Sequence, residues 1–174
     1  MKDDFNPQPI LEDARVLLRP LRPENFEALY AVASDPAIWE QHPAKERSQR
    51  EGFTRFFEEA LASGSALLIL DKSTGEVIGT SRYNRVQESE DALEIGWTFL
   101  ARRYWGGTYN AAIKALMMNH AFRHYGKLLF YIHHENLRSQ RAIQKLGGRR
   151  IHEIDGVQLA VRPTASVTYC IERP

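Results

Sequence analysis

The first third of the chain alternates between apolar and polar residues and then changes to helical spacing. Residues 15–21 alternate well enough for a strand, and Pro23 at a first helical position opens a helix that ends at Asp35. A second helix is expected between Ser48, as its cap, and Gly64, as its stop. The apolar faces of these helices are Phe26, Leu29, Tyr30 and Ala33, and Phe53, Phe56, Phe57, Ala60 and Leu61.

The middle of the chain is rich in strands. Three apolar runs, 66–70, 77–86 and 92–100, are separated by turns too short to hold a helix. Strands joined in this way run antiparallel, so we expect a meander here. Residues 1–13, which contain two prolines, are expected to form an extended arm before the first strand.

The last third begins with a helix that is expected to end at Gly126, followed by a continuously apolar strand over 128–132. Asn136 is expected to cap a final helix, and two strands, 149–154 and 166–171, close the chain. The inward faces of the two helices are Ile113, Leu116, Met117, Ala121 and His124, and Ala142, Ile143 and Leu146.

Composition restricts the class of protein. The 174 residues fit one domain, and 23 basic against 22 acidic side chains give a net charge of +1. Neither nucleic acid nor a membrane is therefore an expected partner. One cysteine and an acidic N-terminus without an apolar run fit a cytoplasmic protein rather than a secreted one. Oligomeric state stays open, with a homodimer as one alternative.

A glycine pair interrupts the pattern between the third strand of the meander and the next helix. Gly106 and Gly107 leave backbone N–H groups at a helix N-terminus without a side chain in the way. Such a terminus favours an anion, because unsatisfied donors coincide with the positive end of the helix dipole. The alternative is an ordinary strand-to-helix turn. The favoured interpretation is a turn that holds a pyrophosphate.

The spacing in this turn resembles a known motif. The run Arg103-x-x-Gly106-x-Thr108 resembles the Q/R-x-x-G-x-G/A loop with which GNAT-family N-acetyltransferases bind the pyrophosphate of acetyl-coenzyme A. The flanking words Glu94-Ile95-Gly96-Trp97 and Trp105-Gly106 look like those of the ribosomal-protein N-terminal acetyltransferase branch. Thr108 departs from the pattern, which usually has glycine or alanine there.

A second motif lies in the final helix. Its sequence Asn136-x-x-Ser139, followed by Leu146-Gly147, resembles the N-x-x-S/A…L-G signature of the same family. The resemblance covers nearly the whole chain. It implies the GNAT fold, an α/β (α+β) domain over 1–174 with a mixed, mostly antiparallel sheet of about seven strands flanked by four helices.

The resemblance also implies a co-substrate site for acetyl-coenzyme A. Backbone N–H groups near Trp97 are expected to bind the pantetheine arm and a reaction oxyanion, and Gly96 is consistent with a β-bulge there. Arg138, Arg141 and Lys145 form a basic stripe, either a solvated face or a contact to the 3′-phosphate. The implied binding residues are Trp97, Thr98, Phe99, Leu100, Arg102, Arg103, Trp105, Gly106, Gly107, Thr108, Tyr109, Asn110, Asn136, Ser139 and Arg141.

Two residues are candidates for catalysis. Glu94 would act as a base through water, unless it is only an exposed or paired strand carboxylate, with Arg82 or Arg85 as its partner. Many family members protonate the thiolate with a tyrosine, but this chain has Ile143 at the matching position. Ser139 is therefore the group expected near the thioester sulfur. The alternative is that its hydroxyl bonds to nearby backbone.

The acceptor is expected to be a primary amine. An α-amine loses a proton at pH 7 at a cost of about 1–1.5 kcal/mol, a lysine at roughly 4–5 kcal/mol, so one carboxylate favours α-amines of proteins or peptides. A small-molecule amine is the alternative, and a coenzyme A sensor without catalysis is a third. Trp39, Arg82 and Tyr83 are expected to line the acceptor pocket.

No metal site is expected. His120 and His124 share a helical face, but the sequence between them lacks the zinc-protease pattern. His133 and His134 end a strand, with no acidic cluster expected to complete a site.

Overall fold

The periodicities of the sequence fold into ten strands and four α-helices in the computed structural model, which describes residues 1–160 and 167–174. No helix within these ranges is both long and apolar enough to cross a bilayer. The strands are β1 (Leu11–Glu12), β2 (Val16–Pro20), β3 (Ala66–Asp71), β4 (Val77–Arg85), β5 (Ala92–Leu100), β6 (Lys127–Ile132), β7 (Arg149–Ile151), β8 (Glu153–Ile154), β9 (Val157–Gln158) and β10 (Val167–Glu172). The helices are α1 (Phe26–Ala33), α2 (Arg50–Ala62), α3 (Thr108–Ala121) and α4 (Leu137–Lys145).

Eight of these strands form one sheet, in the order β1-β2-β3-β4-β5-β6-β10-β7. All neighbouring described strands in it are antiparallel except β5 and β6, which are parallel. The predicted mixed, mostly antiparallel sheet with four helices is confirmed. The sheet has eight strands rather than about seven because Leu11 and Glu12 pair with Leu18 and Leu17 as an edge strand.

The two faces of the sheet are covered by different helices. In β3, Leu67 and Ile69 belong to the apolar cluster beneath α3, which includes Ile113. Ala66 and Leu68, on the alternate positions, belong to the cluster formed with α1 and α2. Burying one leucine side chain contributes about 1.5–3 kcal/mol. The continuous apolar run of β3 is therefore explained by burial on both faces.

The N-terminal arm is attached to the α3 side rather than lying free. Phe5 is buried, with its ring centroid 5.2 Å from that of Tyr83 and 5.3 Å from that of Tyr125. His120 Nε2 lies 2.8 Å from the carbonyl oxygen of Asn6, and His124 Nδ1 lies 3.1 Å from Asp4 Oδ2. His120 on α3 and His124 in the turn after it therefore hold the arm in place.

Several predicted boundaries need correction. Ser48 does not cap α2: it ends a short 3₁₀-helix, where its hydroxyl donates to the carbonyl of Lys45, and Gln49 precedes α2 without a side-chain cap. The α3 helix ends at Ala121, not at Gly126. The strand predicted over 149–154 is split, because β7 joins the sheet and β8 pairs with β9. Ser166, predicted to begin the last strand, lies outside the described residues.

Gly79 tests how tightly β4 packs against β5. A Cβ atom there would lie 2.1 Å from the carbonyl oxygen of Phe99 and 2.9 Å from a methyl group of Leu100. We expect Gly79→Ala to lower the free energy of unfolding by about 3 kcal/mol, because the clash is with backbone of the next strand. Gly107→Ala is the matched control, since its Cβ would meet only an atom 4.0 Å away. Equal urea denaturation curves for the two variants would contradict this packing argument.

Candidate active site

A cavity of about 620 Å³ opens where β5 and β6 separate. The two strands pair only from Ala92 to Glu94 on β5 and from Lys127 to Leu129 on β6. Beyond that point the continuations of both strands line the cavity. Its remaining walls come from the glycine turn, α3, α4 and the segment between α1 and α2. The lining residues include Trp39, Gln41, His42, Arg47, Glu94, Trp97, Thr98, Trp105, Gly106, Gly107, Asn110, Lys114, Phe130, His133, Asn136, Arg138, Ser139, Arg141, Ile143 and Lys145.

A β-bulge shapes the β5 wall. Thr80 pairs with Phe99 and Arg82 with Gly96, so that two residues, Trp97 and Thr98, oppose Ser81 alone. Trp97 has a left-handed φ of 52°, which is uncommon for a residue other than glycine. A bulge leaves its extra residue out of the ladder, so a peptide group here is available to a ligand. The bulge predicted at Gly96 is confirmed, one residue further along.

The glycine turn lies at the N-terminus of α3, as the sequence predicted. Gly106 has φ +68°, and no atom lies within 4 Å of the Cβ that it lacks. Gly107 precedes the first residue of α3, and both glycines line the cavity. The N-terminus of a 14-residue helix therefore lies at this end of the cavity, which suits an anion.

The polar side chains around the turn have other partners in this structure. Arg102 forms an ion pair with Asp35, and Arg103 forms one with Glu76. Tyr109 directs its hydroxyl to Asp71, at 3.4 Å. These three side chains and Thr108 are not part of the cavity wall, whereas Phe99, Leu100 and Asn110 are.

Trp105 forms the bridge between the turn and α4. Its indole N–H donates to the carbonyl of Leu100 at 2.9 Å. The guanidinium carbon of Arg138 lies 3.6 Å from the centre of its ring. Arg138 also donates to the carbonyl oxygen of Ile38 at 3.3 Å, and its backbone N–H lies 3.4 Å from Gln41 Oε1. Arg138 therefore joins α4 to the segment between α1 and α2.

The start of α4 forms the opposite wall. Asn136 is buried, and its side-chain oxygen accepts the backbone N–H of Ser139 at 3.1 Å, which confirms it as the helix cap. Ser139 and Arg141 also line the cavity. Ile143 is buried and apolar at the position where a tyrosine was considered. No phenol is supplied from that position.

Glu94 lies where the two strands part. Its side chain is buried, and Oε2 accepts a hydrogen bond from Asn84 Nδ2 at 3.0 Å. Asn84 is its direct partner across β4 and β5, and the negative charge of Glu94 also raises the pKa of Arg82, which burial lowers. The carboxylate therefore reaches the cavity from a fixed position.

Trp39 and its neighbours close the far end of the cavity. The Trp39 indole is buried against Phe99 and donates to the carbonyl of Ala33 at 2.8 Å. Burial, with the positive charge of Arg47 nearby, lowers the pKa of His42 to about 4, so this imidazole is neutral at pH 7. The predicted Trp39 position is thus part of the wall.

The other two predicted acceptor residues lie behind the wall. The guanidinium carbon of Arg82 is 3.7 Å from the centre of the Trp97 ring, and burial lowers its pKa to about 10. Tyr83 is fully buried in the α3-side core, where its hydroxyl donates to the carbonyl of Met117 at 2.9 Å. Burial raises the pKa of Tyr83. Tyr83 does not reach the cavity, and Arg82 reaches it only through Trp97.

Lys114 is the site residue that sequence reasoning missed. It is 4% exposed, lines the cavity from α3, and donates from Nζ to Thr98 Oγ1 at 2.7 Å. Burial lowers its pKa to about 7. A signal was present in the sequence, because a lysine three residues before Met117 lies within the apolar stripe of the helix.

The histidines after β6 require a correction. Glu135, the next residue along, brings a carboxylate to His133 and His134, and one ligand atom from each lies within 4.8 Å of the others. An acidic partner is therefore present where none was expected. His133 Nδ1 already accepts the backbone N–H of Glu135 at 3.4 Å.

Comparisons with known proteins agree with this geometry. The sequence model described as Acetyltransferase (GNAT) domain matches residues 15–149. The chain is 29% identical over 109 residues to the uncharacterized N-acetyltransferase p20 of Bacillus licheniformis, a match spanning 59% of this chain and 61% of that protein.

Solved structures share the fold. The Bacillus anthracis GNAT-family acetyltransferase superposes with a TM-score of 0.74 at 17% identity, over 94% of this chain and 98% of the other. Mycobacterium smegmatis RimJ, in complex with CoA-disulfide, gives 0.68 at 19% identity, over 90% and 81%. At such identities the likeness is one of fold. Because the family model spans most of the sequence, this chain belongs to the GNAT acetyltransferase family.

Proposed function

We propose that the protein transfers an acetyl group from acetyl-coenzyme A to the α-amine of a protein or peptide. The observation that carries this proposal is the cavity, which runs from the glycine turn at α3 to the buried carboxylate of Glu94. One end suits a pyrophosphate, and the other supplies a proton acceptor. A reaction by direct attack needs both ends and no nucleophile from the enzyme.

Coenzyme A would lie in the cavity where β5 and β6 separate. Its pyrophosphate would bind the N–H groups at Gly106, Gly107 and the start of α3. The pantetheine arm would follow β5 past the bulge, opposite Asn136. Arg103 would exchange Glu76 for a phosphate, since a charge-assisted contact to phosphate replaces an exposed ion pair of small value. A RimJ structure with a bound coenzyme A disulfide has the same fold.

The chemistry needs three contributions from the chain. Glu94 takes a proton from the entering ammonium through water, held in place by the Asn84 amide. Peptide N–H groups at the bulge stabilise the oxyanion that forms when the amine attacks the thioester. Ser139 lies at the sulfur and donates a hydrogen bond as the thiolate develops. The α-amine is favoured because a single carboxylate suffices for its deprotonation.

A small-molecule amine is the second candidate. It is favoured by the contacts of Arg138 to Ile38 and Gln41, which close the cavity beside Trp39. A peptide would need this connection to open, whereas a small amine would fit beneath it.

The acceptor and the base are tested together by thiol release from acetyl-coenzyme A across peptides and small amines. We expect peptides with free α-amines to be acetylated, with kcat/KM reduced about 10²–10³-fold in Glu94→Gln because the base is lost. Ser139→Ala should lower kcat/KM about 10-fold, because one hydrogen bond to the sulfur is lost. Glu90→Gln, an exposed carboxylate, is the matched control.

Three outcomes would contradict parts of the proposal. Unchanged rates in Glu94→Gln would remove the base. Turnover of small amines alone would assign the second candidate acceptor. Tight binding of acetyl-coenzyme A without thiol release for any amine would indicate a sensor.

Arg141 tests where the adenosine end of coenzyme A lies. The residue is exposed at the edge of the cavity, one turn beyond Leu137. We expect Arg141→Gln to raise KM for acetyl-coenzyme A about 10-fold, because one charge-assisted contact to the 3′-phosphate is lost. With the 3′-dephospho form, wild type and variant should have the same KM. A matched change, Arg150→Gln on β7, should alter neither, and an equal effect on both substrates would place the 3′-phosphate elsewhere.

A further inference from the structure

Lys114 occupies a position where burying an apolar side chain would cost less free energy than burying a lysine. It lies between Ile113 and Met117 on α3, both of which are fully buried, and its ammonium nitrogen points into the cavity beside Phe130. Among the described residues, the sole hydrogen-bond partner of Nζ is the Thr98 hydroxyl, and no carboxylate forms an ion pair with it. A buried lysine without a counter-ion is costly, and such residues concentrate at functional sites.

The hydrogen bond fixes where the amine lies. Thr98 is one of the two bulge residues of β5, and its Oγ1 atom also lies 2.7 Å from Ser81 Oγ. Lys114 Nζ, 2.7 Å from this hydroxyl, is therefore held at the bulge. Under the proposed function this is where the thioester carbonyl meets its N–H donors. The amine thus lies beside the reacting atoms rather than at the phosphate end.

Proton balance identifies a task that the other residues leave open. An acceptor that enters as R–NH₃⁺ keeps one hydrogen in the amide product, so it must lose two protons. Glu94 can remove the first through water. The second has to leave the attacking nitrogen, and the departing thiolate has to gain one. Ser139 can hydrogen-bond to sulfur, but an alcohol is too weak an acid to protonate a thiolate.

We propose that Lys114 carries this second proton from the attacking nitrogen to the departing sulfur. Its neutral amine accepts the proton from nitrogen as the C–N bond forms. The ammonium then gives the proton to sulfur as the C–S bond breaks, which restores the neutral amine. The inference rests on the proposed function, and it assigns Lys114 as a catalytic residue.

The electrostatic surroundings suit a group that alternates between two charge states. Burial lowers the pKa of Lys114 to about 7, below the value near 8.5 of a free thiol, so proton donation to thiolate is downhill. The group that faces it most closely is a hydroxyl and not a charge, which leaves both states accessible. The charged and titratable groups on the described elements around it are Glu94 on β5, Lys127 and Tyr131 on β6, His133 just after β6, Arg138, Arg141 and Lys145 on α4, Glu12 on β1 and Arg19 on β2.

The test measures kcat as a function of pH for wild type and for Lys114→Met. The acceptor is an amine that the wild-type protein acetylates in the thiol-release assay. In wild type kcat should fall below about pH 7, where Lys114 is protonated and cannot accept. The variant should lose about 10²–10³-fold in kcat at pH 8, and this acidic limb should disappear. The Kd for coenzyme A should change less than about threefold. Lys127→Met, a surface lysine paired with Asp155, is the matched control and should behave as wild type.

Stability separates this role from a structural one. The unfolded chain holds the Lys114 proton up to pH about 10.4, the native protein only to about 7. Between these values unfolding takes up a proton, so the stability of wild type rises with pH across this window. Lys114→Met removes that dependence and should melt several degrees higher at pH 7. A variant that is more stable and less active has not lost activity by misfolding.

The outcomes distinguish the two levels of inference. If wild type acetylates an amine and Lys114→Met keeps its kcat and acidic limb, the role of Lys114 is overturned while the proposed function stands. If wild type releases thiol with no amine, both fall. If the variant melts below wild type at pH 7, the lysine stabilises the fold, and the assignment is likewise overturned.

Discussion

The structure depends on one interruption of hydrogen bonding, the point where β5 and β6 cease to pair. Up to Glu94 and Leu129 the two strands form a parallel ladder, and beyond them each strand has an open edge toward the other. An unpaired edge inside a domain leaves peptide groups that need partners. Here the bulge at Trp97 and Thr98, the glycine turn and the cap of α4 are all arranged around that edge. A ligand with its own amide groups can complete the ladder.

Local chemistry made much of this readable in the sequence. Gly106 needs a positive φ, Asn136 needs to accept an N–H at a helix start, and Gly96 precedes a bulge, and each requirement is set within a few residues. The continuous apolar run of β3 follows from burial on both faces of the sheet, and the helical spacing in α2 follows from burial on one side. These features depend on neighbours along the chain, so pattern is sufficient to find them.

What the sequence could not give depends on partners distant along the chain. Arg102 and Arg103 have no visible partners in the sequence, but in the structure Asp35 and Glu76 from other elements form ion pairs with them. Tyr83 looks like a pocket residue in the sequence, but in the structure it packs beneath α3, where its hydroxyl donates to the carbonyl of Met117. The two-residue edge strand β1 is too short for any periodicity. Lys114 escaped notice because a single lysine in a helix is usually a solvated one.

Glu94 and Lys114 together explain why the site is built into the core. Both side chains are more than nine-tenths buried beside the bulged strand β5. Glu94 accepts a hydrogen bond from the Asn84 amide, and Lys114 donates one to the Thr98 hydroxyl. For Lys114, a neutral partner fixes the position of the amine without fixing its charge, whereas an ion pair would hold it in the charged state. A reaction that removes two protons from nitrogen and returns one to sulfur needs groups that can change charge. Burial of Lys114 is costly, and the same burial lets this amine change its charge near pH 7.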